Sequence, residues 1–332
     1  MATIHDIARA AGVSKSTVSR VLSNQGYVKK ETRNRIDGAI KELDYSPNYI
    51  ARGMRTNKSS AIGLFIPDYS NPFYSELFKG VEKITRKAGY MNLVCHTDED
   101  PKAELYYIGE LIKRQIDGII FCTYNRSPEG LQYLKRLSES IPLVFMDPVF
   151  DDQEFSCVVS DGFTGTKNAV NYLISKGCSN IAYIKGPRIH AVTRERYRGY
   201  IEALKESDFE LNRDMVYEGD FSIESGREAV RHFMNQERKP DALLAVTDVM
   251  AIGALKELRS MGVRIPEEVK VIGFDNIPLS ELIEPSLTTI AQPIKELGMN
   301  AAELLLKKIA DPAAPNQQVV MQCSMVERKS AM

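Results

Sequence analysis

From Ala61 onward, short apolar runs alternate with amphipathic segments, in two successive series. The first reads AIGLFIP, a helix from about Phe73, MNLVC, a helix from about Lys102, DGIIFC and PLVFMD. The second reads CVVSD, a helix from Phe163, NIAYIKG, a helix from Arg194, MVYEG, a helix from Ile223, DALLAV, a helix from Val249 and VKVIGFD. Continuous apolar strands separated by helices mark a parallel sheet covered on both faces. A unit built twice predicts two doubly wound α/β lobes. The cleft where their strand ends meet is where ligands settle in such folds.

The segment ahead of these lobes has a different character. Residues 1–60 hold eleven Lys and Arg against five Asp and Glu, while the rest of the chain holds 32 against 39. A basic head on an acidic body suits a head that meets a polyanion, the alternative being chance clustering. Thr3 and Asp6 have the spacing of a capping box, followed by apolar Ile4, Ile7, Ala8 and Ala11 at helical intervals. Gly12 supplies a turn, Val13 plugs its corner, and Ser14 caps a second helix running to about Leu22. Val18, Val21 and Leu22 face one way in that helix, and Lys15, Ser16, Ser19 and Arg20 the other. A third helix is expected from Thr32 to Leu43, with Ile36, Ala39, Ile40 and Leu43 closing a small core. Three such helices form a helix-turn-helix domain, whose second helix enters the DNA major groove. Arg20 and Lys15 carry more specificity than Ser16, because a guanidinium bridges guanine O6 and N7 whereas a hydroxyl tolerates either partner. An ordinary helical hairpin with a solvated face is the alternative.

The stretch TIHDIARAAGVSKSTVSRVLSNQGYVKKETRNRIDGAIKELDYSPNYIARGM resembles, without gaps, the N-terminus of the lactose/galactose repressor (LacI/GalR) family of bacterial transcriptional regulators. The resemblance implies an operator-binding role for Thr3, Lys15, Ser16, Thr17, Arg20 and Asn24, joined by Tyr45 and Asn48. It also implies a hinge helix in the minor groove, where Met54 takes the place of the apolar wedge that is usually Leu, with Ala51 beside it and Arg52 and Arg55 near the backbone. The residues agree with that. Ser46-Pro47 interrupts the preceding pattern, and Asn48 to Arg55 makes about two turns, too short to be helical alone, so the hinge is expected to fold on DNA.

The resemblance extends through PDYSNPFY, Asp147, Asp161, RYRGY at Arg196, GDF at Phe221, TDVMAIG at Asp248 and GFDN at Asp275. In the family, positions matching Arg196, Asp248 and Asp275 hold ligand hydroxyls, and those matching Phe73 and Phe221 lie on its apolar face. Carboxylates and a guanidinium hydrogen-bonding hydroxyls, with an aromatic ring on the C–H face, suit a sugar or sugar derivative. The expected effector site therefore comprises Asn71, Phe73, Asp147, Asp161, His190, Arg196, Phe221, Asp248 and Asp275. Helix capping is the alternative role for Asp248, plain core for Phe73 and an interlobe ion pair for Arg196. The loop Gly186 to Glu195 is the least family-typical part, and its Arg188 and Arg194 raise the alternative of an anionic ligand.

Domain limits follow: helix-turn-helix over 1–46, hinge over 47–60, and an effector-binding and dimerisation body over 61–332. Its lobes are expected at about 61–160 plus 291–319, and 161–290 plus 320–332, with SLTTIAQP and the helix from Ile294 crossing back to the first lobe. By resemblance the partners are a pseudo-palindromic double-stranded operator and a second copy of the chain; a tail without heptads favours a homodimer. A phosphorylated carrier protein as co-repressor, as in part of the family, is the alternative regulator.

Five scattered cysteines exclude a disulfide framework and fit a reducing cytoplasm. The N-terminus lacks the apolar core of a signal peptide, and no apolar run approaches the ~18 residues of a membrane span. Nucleotide-binding, zinc-protease and nucleophile-elbow motifs are missing and the four histidines lie far apart, so no cofactor, metal or catalytic activity is expected.

Overall fold

The computed structural model describes residues 2–23, 26–45, 59–124, 126–147 and 154–332. The chain divides into two compact units, Met1–Ser59 and Ser60–Met332.

In the first unit, α1 (Ile4–Ala10), α2 (Lys15–Ser23) and α3 (Lys30–Glu42) close on fully buried Ile7, Val18 and Ile36. The Asp6 carboxylate accepts hydrogen bonds from the Thr3 N–H at 2.9 Å and the Thr3 hydroxyl at 2.7 Å, which fixes the entry to α1. Gly12 takes φ +61, a left-handed value that lets the chain double back while the Val13 N–H donates to the Ala8 carbonyl at 3.0 Å. Ser14 Oγ then accepts from the Thr17 N–H at 3.2 Å, capping α2. Two details differ from the sequence expectation. Helix α3 starts at Lys30 rather than Thr32, and Leu43 lies beyond its end and is exposed. Tyr45 packs against the core there, its N–H turned back onto the Ile40 carbonyl at 3.0 Å.

The second unit holds two six-stranded sheets. The first contains β1 (Ala61–Ile66), β2 (Met91–His96), β3 (Gly118–Phe121), β4 (Leu143–Phe145), β5 (Ser156–Ser160) and β11 (Gln318–Met321), in the order β11-β5-β4-β3-β1-β2 and parallel throughout. The second contains β6 (Ile181–Lys185), β7 (Val216–Glu218), β8 (Ala242–Ala245), β9 (Lys270–Asp275), β10 (Thr288–Ala291) and β12 (Ser324–Val326), in the order β12-β10-β9-β8-β6-β7. All its pairings are parallel except β10 with β12. That exception follows from the path. After β11 the chain re-enters the second lobe through the cleft, against the direction in which the other strands run toward it.

The connecting helices are α4 (Pro72–Lys87), α5 (Pro101–Lys113), α6 (Pro128–Ser138), α7 (Gly162–Ser175), α8 (Ala191–Glu206), α9 (Ile223–Met234), α10 (Asp248–Ser260), α11 (Leu279–Leu282) and α12 (Ile294–Ala310). Helices α4, α5 and α6 each begin with proline behind a capping side chain. Asn71 accepts from the Phe73 N–H at 3.0 Å, Asp100 from that of Lys102 at 2.9 Å and Ser127 from that of Gly130 at 3.0 Å. Helices α4 and α12 cross at backbone contact, since a Cβ on Gly80 would lie 2.1 Å from the Lys295 carbonyl oxygen.

Helix α12 packs on the first sheet through Leu297, Ala301 and Leu305. SLTTI does not cross back as anticipated: Thr288 to Ala291 stay in the second sheet, paired with Ile272 to Asp275. The final crossing also comes after Met321 rather than Val319, because Met321 still pairs with Ser160. Among the described residues, the chain thus passes between lobes after β5, β10 and β11, three strand ends that converge on one cleft. No described helix is long and apolar enough to cross a membrane.

Candidate functional site

On the first unit, Lys15, Ser16 and Arg20 are exposed on one side of α2 while Val18 and Val21 are buried on the other. Thr3 is exposed as well. Thr17 is half-buried, its hydroxyl 2.8 Å from Ser14 Oγ, so it steadies the helix start as well as edging the polar face. Tyr27, 89% exposed, stands beside exposed Lys29 and Lys30. Helical periodicity passes over that cluster, although phenolic and ammonium groups are donors suited to phosphate oxygens. Tyr45 belongs to the core edge. Asn24, Asn48, Ala51, Arg52, Met54 and Arg55 lie outside the described residues.

The second unit has a cavity of about 330 Å³ between its lobes. Of the expected residues, Asn71, Phe73, Asp147, His190, Arg196, Phe221 and Asp275 line it. The first lobe contributes Phe73 at the start of α4 and Asp147 just after β4; the second contributes the start of α8, the turn after β7 and the end of β9. Arg196 is buried, its stem packed on Gly162 and its guanidinium carbon 3.7 Å from the Phe274 ring centre. One end donates to the Val246 carbonyl at 2.6 Å and lies 3.7 Å from Asp275 Oδ1. Asp275 accepts from the Gln292 amide at 2.6 Å, and Gln292 in turn accepts from the Ser160 hydroxyl, a chain that ties the lobes together.

Across the cavity, Asp147 pairs with Arg126, and His190 reaches from the second lobe to within 3.1 Å of Glu99 Oε1 and 3.9 Å of Asp147 Oδ2. The ring of His190 meets that of Phe221 edge-on at 5.3 Å.

This cluster is incompletely satisfied. Asp147 Oδ1 and Arg196 Nε are buried without a hydrogen-bond partner, and buried His190 Nε2 has only the Glu99 carboxylate beside it, which is costly unless something else supplies the missing bonds. Burial lifts the Asp275 carboxyl above its usual range, Arg196 opposing and Asp248 adding to the rise. Burial lifts Asp147 likewise, against the pull of Arg126 and His190. Glu99 is lowered by the adjacent His190 imidazole. The backbone is strained in the same place. Asp98, Glu99, Phe221 and Asp275 all line the cavity with φ of +50, +55, +69 and +123, values that side chains other than glycine rarely adopt.

Two expected residues are not brought to the cavity. Asp161 caps α7, accepting from the Thr164 N–H at 2.9 Å. Asp248 is wholly buried under the second sheet, where it accepts from the Ile277 N–H at 2.9 Å and the hydroxyls of Ser280 at 2.6 Å and Thr289 at 2.5 Å. Arg188 and Arg194 also turn away from the cavity into a neighbouring groove. The lining also includes Asp68, from the PDYSNPFY turn, and Asp98, Glu99 and Asp220, carboxylates outside the expected set. Asp98 and Glu99 stand just past the end of β2, with Thr97 between, the same kind of strand-end position as Asp147.

A family model described as "Bacterial regulatory proteins, lacI family" matches residues 3–48. A second, "Periplasmic binding proteins and sugar binding domain of LacI family", matches residues 59–329. The ribose operon repressor of Halalkalibacterium halodurans is 38% identical over 93% of this chain and 91% of its own length. The lac repressor dimer bound to operator and the anti-inducer ONPF superposes with a TM-score of 0.88 at 26% identity, covering 100% of this chain and 99% of that one. A LacI family regulator from Enterococcus faecium with bound ribose gives a TM-score of 0.73 at 30% identity, over 82% of this chain and 98% of that one.

Proposed function

The chain belongs to the LacI family of bacterial regulatory proteins, and from that premise we propose a repressor that binds a pseudo-palindromic operator as a homodimer and answers to a neutral sugar held between its lobes. It is a DNA-binding transcriptional regulator, not an enzyme. In this reading Lys15 and Arg20 read base edges, Thr3, Ser16 and Thr17 edge the same face, and residues 47–60 form the hinge with Met54 as its wedge. Two-fold symmetry of the protein sets two-fold symmetry of the site.

The observation that carries the effector class is the cavity's charge. Its lining holds six carboxylates, Asp68, Asp98, Glu99, Asp147, Asp220 and Asp275, against the guanidinium of Arg196, the imidazole of His190 and the Arg126 guanidinium paired with Asp147. An anion entering there meets like charge at short range, whereas hydroxyls donate to those carboxylates and gain charge-assisted hydrogen bonds. Phe73 and Phe221 offer rings to the C–H faces of a sugar. The alternative of an anionic ligand in this cavity, raised by Arg188 and Arg194, loses its support because neither residue lines it. Ribose is the first sugar to test, given the relative named for the ribose operon and the regulator that holds ribose.

The experiment is selection of bound sequences from a random duplex pool, in parallel with ribose, ribose 5-phosphate or no addition. A symmetric motif whose enrichment responds to the neutral sugar and not to its phosphate is the expected result. Symmetric enrichment that responds only to the phosphate overturns the effector class, and no enrichment overturns the DNA reading.

A further inference from the structure

Helix α8 presents Arg196 to the interlobe cavity and a different set of side chains to its other flank. There, between α8 and the edge strand β7, lies a groove of about 750 Å³ lined by Lys185, Arg188, Arg194, Arg198 and Arg213. Its acidic residues are Glu195 and Glu218, and each is already paired, with Arg198 at 2.8 Å and with Lys185 at 2.6 Å. Arg188, Arg194 and Arg213 are left as surplus positive charge around one concavity. Arg194 is held in place through its donation to the carbonyls of Arg188 at 3.1 Å and Ile189 at 3.3 Å. The rest of the lining includes Tyr197, Ile201, Leu211 and Val216, a surface of one aromatic ring and aliphatic carbon. The Lys185 ammonium lies 5.8 Å from the centre of that ring.

We propose that this groove is a second ligand site, for a phosphorylated metabolite that carries a ring. Three forked or flexible cations converge on the phosphate, and Tyr197 with its aliphatic neighbours covers the ring. The contrast with the interlobe cavity is one of sign: carboxylates dominate there and guanidinium groups here. The two sites share a wall. Thr193 lines both, and its hydroxyl lies 2.9 Å from the carbonyls of both Pro187 and His190, pinning the loop that turns Arg188 to the groove and His190 to the cavity. Gly186 fits against the Phe221 ring so closely that a Cβ would come within 2.5 Å of it. An anion drawing Arg188 inward therefore moves the backbone that places His190 and Phe221 around the sugar. The site couples to effector binding through that loop, whatever the effector.

The test uses the full chain and calorimetric titration at constant ionic strength, with inorganic pyrophosphate, inorganic phosphate and AMP as probes. Saturable pyrophosphate binding at one site per chain is expected. The variant R188E/R213E is expected to weaken it by about tenfold or more, both side chains being exposed so that the fold is retained. Circular dichroism and the urea unfolding midpoint of that variant serve as its folding controls. AMP is expected to bind more tightly than inorganic phosphate, and R194A to weaken pyrophosphate less than the double variant. Absence of saturable binding overturns the proposal. Binding unchanged in R188E/R213E overturns it too, by assigning the anion to the basic first unit. AMP no tighter than phosphate removes the ring from the ligand's description.

Discussion

Asp248 and Asp275 flank neighbouring strands of the second sheet, are buried to nearly the same extent and have carboxyl groups lifted by that burial, yet their surroundings are opposite in kind. Asp248 accepts from one backbone N–H and two hydroxyls, all supplied by the segment 277–289. Asp275 faces Arg196 and Gln292 across a cavity in which two other buried polar atoms, Asp147 Oδ1 and Arg196 Nε, lack partners. A polar cluster whose bonds are completed by the protein holds the protein together. One completed only in part leaves polar groups free to bond a ligand, and the backbone at Asp98, Glu99, Phe221 and Asp275 is strained in the same place.

The most forceful way to break the comparison is Asp248→Ala. It leaves three buried donors without an acceptor, each costing ~1–3 kcal/mol, so the transition of residues 60–332 should lose about 4 kcal/mol. Urea unfolding followed by circular dichroism measures this; the chain has no tryptophan to report it by fluorescence. A loss below ~1 kcal/mol would mean that the cluster is not the fastening described here.

Asp275→Asn should do the reverse. Stability is retained or rises, because burial already disfavours the charge, while affinity for the sugar falls by about 2 kcal/mol, the scale of a charge-assisted hydrogen bond. The pH dependence gives a second reading. A carboxyl whose folded value is raised binds more protons folded than unfolded, so stability declines as pH climbs from the ordinary carboxylate value to the raised one. The Asn variant should show a flatter decline over that window. An unaltered slope would assign it to Asp147 and Asp248, which are raised as well.

The difference between the two aspartates is the part of the molecule least legible in the sequence. Helix periodicity, capping residues and apolar strand runs are local signals, and they placed the three-helix head and the alternating strands and helices of both lobes. The seven side chains around the cavity came instead from the family resemblance, most of them at strand ends. What makes Asp248 structural is distant: its partners lie 29, 32 and 41 residues further along the chain. A Thr-Asp at a strand end looks the same whether it faces a ligand or a buried loop. Leu43 failed for a nearer reason, since helical spacing extended one step beyond the residue at which α3 ends. The anionic-ligand alternative offered by Arg188 and Arg194 turned on which side of the loop they face, and spacing along a loop carries no information about which way it turns. Glu99 was missed although it stands at a strand end, because its partner His190 comes from the other lobe.

Within the completed cluster, Thr289→Val removes one hydroxyl from Asp248 Oδ1 and keeps the side chain's shape. About 1.5 kcal/mol of stability should be lost, less than in Asp248→Ala because two donors still hold the carboxylate. Sugar affinity should be unchanged, and a matching loss of affinity would show that the two clusters are energetically one.

Glu99→Gln is the gentlest probe and acts on the incomplete cluster. Glu99 is more than a third exposed, so water and salt screen its pairing with His190, and the stability lost should stay within about 1 kcal/mol. Its sign with pH is opposite to that of Asp275. A carboxyl held below its usual range contributes stability above the ordinary value and loses it as pH falls through the depressed one. The pair also spans the lobes, so its loss should show more in lobe closure than in unfolding. Small-angle scattering without ligand is expected to report a slightly larger radius for the Gln variant, and the sugar to restore the compact form, since its hydroxyls replace the missing contact. A radius identical in the two proteins would leave Ser160, Gln292 and Asp275 as the bond that sets the width of the cleft.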